Sequence, residues 1–146
     1  LPSDTVVGGI PSIEAIAWDV ATDTQAERVY VVGDARRNQH WLAAYRKEED
    51  RLVPELECAL YAPENIGQHL QPDAVIASPD WERIGDFLER IRTPAQHLVQ
   101  HACMPDPLVL GRIAQARISN GETFLHPEPM YLHPPVFVEP RFPPSD

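Results

Sequence analysis

Hydrophobic positions recur along this chain at two periods, and the changes of period mark its elements. Ile13, Ile16, Ala17 and Val20 stand three or four apart, which predicts a helix with Ser12 as its cap. Upstream, Thr5 to Gly9 is short and β-like and ends at Gly8-Gly9. Thr22 to Glu27 is polar and reads as a loop. Arg28-Val29-Tyr30-Val31-Val32-Gly33-Asp34 is a β-branched and aromatic run, the pattern of a central strand buried on both faces. Ala35 to Asn38 makes a turn. Over Gln39 to Arg46 the pattern alternates, with Trp41, Ala43 and Tyr45 on one side and His40, Leu42 and Ala44 on the other. Glu48-Glu49-Asp50 is a charged turn, and Leu52 to Leu60 is a third strand. Leu56, Cys58 and Leu60 share one of its faces by alternation, Glu55 and Glu57 the other. Pro54 places that strand at or near a sheet edge.

After this meander, strands and helices alternate. Ala62-Pro63-Glu64 opens a short helix with Ile66 and Leu70 inward, and Ala74 to Ala77 is a short buried strand. Ser78-Pro79-Asp80 reads as a helix start: a cap, a proline at the first helical position, then an acid. Trp81, Ile84, Leu88 and Ile91 form that helix's apolar stripe. Leu98-Val99, within His97 to Cys103, marks another strand, and Asp106-Pro107 starts a helix carrying Leu110, Ile113 and Ala114 that Asn120-Gly121 ends. Beyond Gly121 the prolines crowd: Pro127, Pro129, Pro134, Pro135, Pro140, Pro143 and Pro144. This reads as an extended, polyproline-like tail with Tyr131, Leu132, Val136 and Phe137 as apolar anchors. The division is therefore a folded unit over 1–122 and a tail over 123–146. Three antiparallel strands followed by alternating helices and strands predict an α/β fold, a mixed sheet with helices on its faces. That order points to the RNase H-like unit, which is also each lobe of the actin/Hsp70-type architecture.

Composition and charge narrow what such a unit can do. Its 146 residues fit one domain, and 43% hydrophobic content is enough for a core. The formal net charge is −10, with no dense Lys/Arg run beyond Arg36-Arg37, so direct nucleic-acid binding is disfavoured and a basic protein partner fits better. Cys58 and Cys103 lack metal-ligand or disulfide-framework spacing and read as buried free thiols, which suits a reducing cytoplasm. No stretch approaches the roughly 18 apolar residues of a membrane span. Leu1 occupies the first position and Met104 and Met130 are the only methionines, so a piece cut from something longer is expected.

Several segments, in order, resemble the TsaB family. Val6-Val7-Gly8-Gly9-Ile10-Pro11-Ser12-Ile13-Glu14-Ala15-Ile16-Ala17 is similar to that family's "vvGvsSLeAlA" segment. Asp34-Ala35-Arg36-Arg37 resembles its "DAR" turn, and Trp41 to Tyr45 its "Y-x-A-x-Y" strand. Ala62-Pro63-Glu64 matches the opening of its short helix; Pro107 to Gly121, then Pro129-Met130-Tyr131-Leu132, resembles the closing helix and "P-x-YLR". The resemblance implies the C-terminal lobe of a non-catalytic scaffold. Such a scaffold pairs with the TsaD-like transferase and a TsaE-like ATPase to install N6-threonylcarbamoyl adenosine in tRNAs that read ANN codons. It implies no cofactor of the chain's own, with ATP or ADP only in the full complex. It also brings the older names glycoprotease-like and M22 peptidase-like. The family's N-terminal lobe, with its "D-T-S" strand and Gly-rich loop, is missing here. His133 stands where the family prefers Arg, and Gln39-His40 replaces Glu-Val.

Candidate contact residues for a partner or nucleotide are Asp34, Arg36, Arg37 and Tyr131. The plainer reading of the first three is a turn in which Asp34 accepts backbone N–H groups and pairs with Arg36. His97 and His101 could share a metal on a helix, but in a strand they stand about 13 Å apart. An RNase H nuclease needs acids around Mg²⁺, the first of them on the first strand, whose centre here is Tyr30-Val31-Val32. No G-x-S-x-G elbow exists, and Gly8-Gly9 is a poor phosphate loop. Trp18 and Trp81 read as core or interface residues. Two rivals to the scaffold stay open: a nucleotide-binding actin-like domain, and an interaction module that docks through its proline-rich tail. A lobe without its mate exposes an apolar face, so a homo-oligomer is expected.

Overall fold

The computed structural model describes residue 5 and residues 7–135 of the chain. A helix, α1 (Ser12–Thr24), leads into strands β1 (Arg28–Arg36), β2 (Gln39–Glu48) and β3 (Arg51–Tyr61). Helix α2 (Pro63–Ile66) and a 3-10 turn follow, then β4 (Val75–Ser78), α3 (Trp81–Ile91), β5 (His97–Ala102) and α4 (Pro107–Ser119). The element order after α1 is the one the sequence predicts. The sheet order is β3-β2-β1-β4-β5: β1–β2 and β2–β3 are antiparallel, and β4 and β5 run parallel to β1. The expected mixed α/β sheet is therefore present, with β1 at its centre and the Pro54-bearing β3 at an edge.

Alternation along β1 and β2 builds two cores. Val29, Val31, Ala43, Tyr45, Val75 and Ala77 face α1 through Ile16, Ala17, Val20 and Ala21. Tyr30, Val32, Leu42, Ala44 and Ile76 face the opposite way, against Ile66, Leu70, Ile84 and Leu88 of the α2–α3 side. Strand β1 is thus buried on both faces, as its unbroken apolar run predicts. Helix α4 packs on α1, through Val109 and Ile113 against Ala15 and Trp18. Arg117 donates from one guanidinium nitrogen to both oxygens of Glu14, at 2.8 and 2.7 Å, and ties the two helices together.

Several details differ from the sequence expectation. Ser12 lies inside α1, and Pro11 takes the cap position without a side-chain bond. That helix runs to Thr24, into the expected loop, until Gln25 turns left-handed at φ 55°. Ser78 ends β4 and α3 opens at Trp81, so Pro79 belongs to the turn. Between the pairs Leu42–Ala59 and Ala44–Leu56, β3 carries a bulge that turns Leu56 toward the α2–α3 side while Cys58 faces α1. The extra residue breaks the alternation that put Leu56 and Cys58 on one face. Both thiols are half-buried rather than buried, because each sits on or just past an edge strand with fewer layers over it.

The segments that flank α1 and α4 meet over the α1 side. Gly9 and Leu125 form a two-bonded bridge, N–H to carbonyl at 2.7 and 3.2 Å, in place of the β-like Thr5 to Gly9 run, whose Val6 lies outside the described residues. Leu132 is half-buried, but Tyr131 is 82% exposed and anchors nothing. The expected anchors Val136 and Phe137 lie outside the described residues. No helix among the described residues is long and apolar enough to cross a membrane.

Candidate functional site

Because β4 runs parallel to β1, the carboxyl ends of both strands reach the same rim of the sheet, where open α/β sheets place their sites. Asp34 ends the core of β1, and Asp80 follows β4 by two residues. The Asp34 backbone N–H donates to Asp80 Oδ2 at 2.9 Å. Asp80 is itself fixed by its backbone N–H, which donates to Ser78 Oγ at 2.9 Å. Arg83, one turn into α3, bridges both carboxylates: its Nε lies 3.2 Å from Asp34 Oδ2, and it pairs closely with Asp80 Oδ1. Asp34 Oδ1 accepts the Arg36 N–H at 2.8 Å, and Arg36 reaches Asp34 Oδ2 at 3.6 Å. Two acids and two arginines thus interlock at the rim, and the turn reading of Asp34 and Arg36 describes their geometry.

The turn beyond is unusual in its backbone. Arg36, Arg37 and Asn38 all take positive φ, at 64°, 52° and 56°. Below it, Trp41 lies flat over Gly33, where an added Cβ would come within 2.0 Å of the indole. His40 stacks on Phe87 of α3, with centroids 4.4 Å apart. Burial pushes the His40 imidazole below its ordinary pKa, against the opposing pull of the Asp34 and Asp80 charges. From the other side the tail returns, and His133 Nε2 sits 2.5 Å from the Ala35 carbonyl oxygen.

Asp34 and Arg36 are therefore brought together, Arg37 stands exposed beside them, and the Tyr131 side chain points into solvent outside this hydrogen-bonded set. Asp80, Arg83 and His133 are not among the site residues that the sequence predicts. Asp80 carries a signal, an acid directly after a strand and a proline, and Arg83 follows at the helical i+3 spacing; His133 carries none. His97 and His101 lie on β5, and among the described residues no three His, Cys, Asp or Glu side chains gather as a metal site. Burial raises both thiol pKa values, which keeps Cys58 and Cys103 protonated and unreactive. A second concavity of about 320 Å³ lies between α1, α4 and the β2–β3 turn, with Glu14 and Arg117 on its floor and Trp18, Leu52 and Ile113 on its walls. Lys47 caps Trp18 at 5.7 Å from the ring centroid.

No family model and no curated protein matches this chain. Solved structures do. YeaZ from Pseudomonas aeruginosa superposes with a TM-score of 0.60 at 20% identity, over 77% of this chain and 51% of that one. A second structure superposes at 0.62 and 23% identity, over 82% of this chain and 56% of the other. It is described as an uncharacterized protein with similarity to peptidase YeaZ from Pseudomonas aeruginosa. The chain thus has the fold of one part of YeaZ-like proteins and spans about half the length of the structures it matches.

Proposed function

We propose that this chain is the C-terminal lobe of a TsaB-like scaffold that supports a TsaD-like transferase, with a TsaE-like ATPase, in threonylcarbamoyl adenosine modification of tRNA. The observation that carries the reading is the shared fold with YeaZ over 77% of the chain, in the element order that the sequence resemblance implies. A non-catalytic role is supported by the rim cluster. The carboxylates of Asp34 and Asp80 are engaged by backbone N–H groups and by the Arg83 guanidinium, the arrangement of a structural brace. On this reading the chain binds no nucleotide by itself, works in the cytoplasm, and contacts its partners by protein surface.

The test is association and consequence. The full-length product of this open reading frame should co-purify with the TsaD-like transferase of the same cell, and its deletion should deplete the modified adenosine in tRNA. Failure to associate together with normal tRNA would sink the scaffold reading. The peptidase wording attached to one structural neighbour supplies a rival, and release of peptides from a protein substrate by the purified chain would favour it. We expect no such release.

A further inference from the structure

A two-residue hairpin turn of type I′ needs positive φ at both central positions, which glycine adopts without steric cost. Here those positions are Arg37 and Asn38, and Arg36 before them is also left-handed. An L side chain in that region is strained, and such strain persists only where the surroundings over-determine it. They do so here. Asp34 Oδ1 takes the Arg36 N–H, Asp80 holds Asp34, Arg83 bridges the two acids, and His133 meets the Ala35 carbonyl. The two arginine side chains add little inside the molecule. Arg36 is 69% exposed, its ion pair to Asp34 is long at 3.6 Å, and Arg37 is exposed. The guanidinium groups of this braced hairpin tip are therefore open to something outside the chain.

Guanidinium groups select carboxylates or phosphates. The net charge of −10 favours a basic partner surface overall and opposes a long polyphosphate backbone, but a short acidic segment on such a partner needs to meet only the local cations of this rim. We propose that the Arg36–Arg37 hairpin tip is a preorganised contact for the carboxylates of an acidic segment on a protein partner. The assignment deepens the scaffold reading and rests on it for the identity of that partner.

The experiment sets stability against binding. Arg36→Gly and Arg37→Gly each relieve a left-handed side chain, so each variant should melt higher, by roughly 2–4 °C. The double variant should bind the transferase roughly tenfold more weakly, with a shallower dependence on salt. In parallel, a hexaglutamate peptide titrated into the 146-residue chain should shift the amide resonances of residues 35–39. The shifts should vanish in the double variant and should not be reproduced by an oligonucleotide of equal charge. Unchanged transferase affinity in the stabilised double variant overturns the contact and leaves the scaffold standing. Absence of transferase binding by the unaltered protein defeats the scaffold reading, and the peptide titration still decides the contact: no shifts, or equal shifts with the oligonucleotide, overturn it.

Discussion

Gly33 shows how one missing Cβ shapes the rim. Trp41 lies across it, and an alanine methyl would sit within 2.0 Å of the indole. Gly33→Ala must push the ring aside and with it the start of β2, so we expect a loss of about 1–3 kcal/mol in urea unfolding. Glu14 poses the opposite problem, a carboxylate that is 6% exposed and raised in pKa, first by burial, with Arg117 pulling it back down. A carboxyl whose folded pKa is raised gives stability that is complete below its ordinary 4.5 and lost as pH rises through the folded value. Removing the counter-ion sharpens this. Arg117→Ala should cost about 3–5 kcal/mol at neutral pH, because the carboxylate is left buried and unpaired. The deficit should shrink below pH 4.5, where Glu14 carries its proton. Denaturation of both proteins at neutral and acid pH checks it; an equal deficit at both would show that Arg117 acts through packing alone.

Between elements, a single acid holds three strands. Arg28 on β1 and Arg46 on β2 stand opposite each other, a like-charge pair that would strain the ladder. Glu55 on β3 resolves it, at 2.5 Å from Arg28 Nε and 3.1 Å from Arg46 Nε. The hydrogen bond from Arg28 holds the Glu55 carboxyl below its ordinary pKa, against a smaller burial effect. Its stabilisation is therefore complete above pH 4.5 and fades as pH falls through the lowered value. Glu55→Gln should cost about 1 kcal/mol at neutral pH and nothing in strong acid, read from the pH dependence of melting. Such contacts mark the limit of what the sequence discloses. The order of elements is legible because periodicity is local: β1 reads as a two-face strand and α4 as a helix between Asp106 and Gly121. Bulges are not legible, since the extra residue in β3 shows only against its partner strand, and Leu56 and Cys58 then part company. At the rim, the Asp34–Arg36 turn is visible from spacing alone. Its brace from Asp80 spans 46 residues, and His133 meets Ala35 across 98, separations at which sequence pattern carries no information.

Across the whole molecule, one layer has no cover among the described residues. Helix α4 rests on α1, while its outer face carries Leu108 at 71% and Ile118 at 69% exposure, with Gly111 and Gln115 between them on the same side. Met104, just ahead of the helix, is 66% exposed. We expect these side chains to serve association. The solved structures that share this fold are about twice as long as the part that this chain matches. The 146-residue chain by itself should associate through α4. Sedimentation velocity should show a weight-average mass that rises with concentration. Leu108→Glu with Ile118→Glu should return a monomer with little change in melting, since neither side chain is part of the core. Truncation before Pro134 should leave the association intact, because α4 and not the tail carries it. A clean monomer at high concentration in the unaltered chain would refute this account. A truncated form that dissociates would hand the interface to the proline-rich tail, the arrangement expected of a stand-alone docking module.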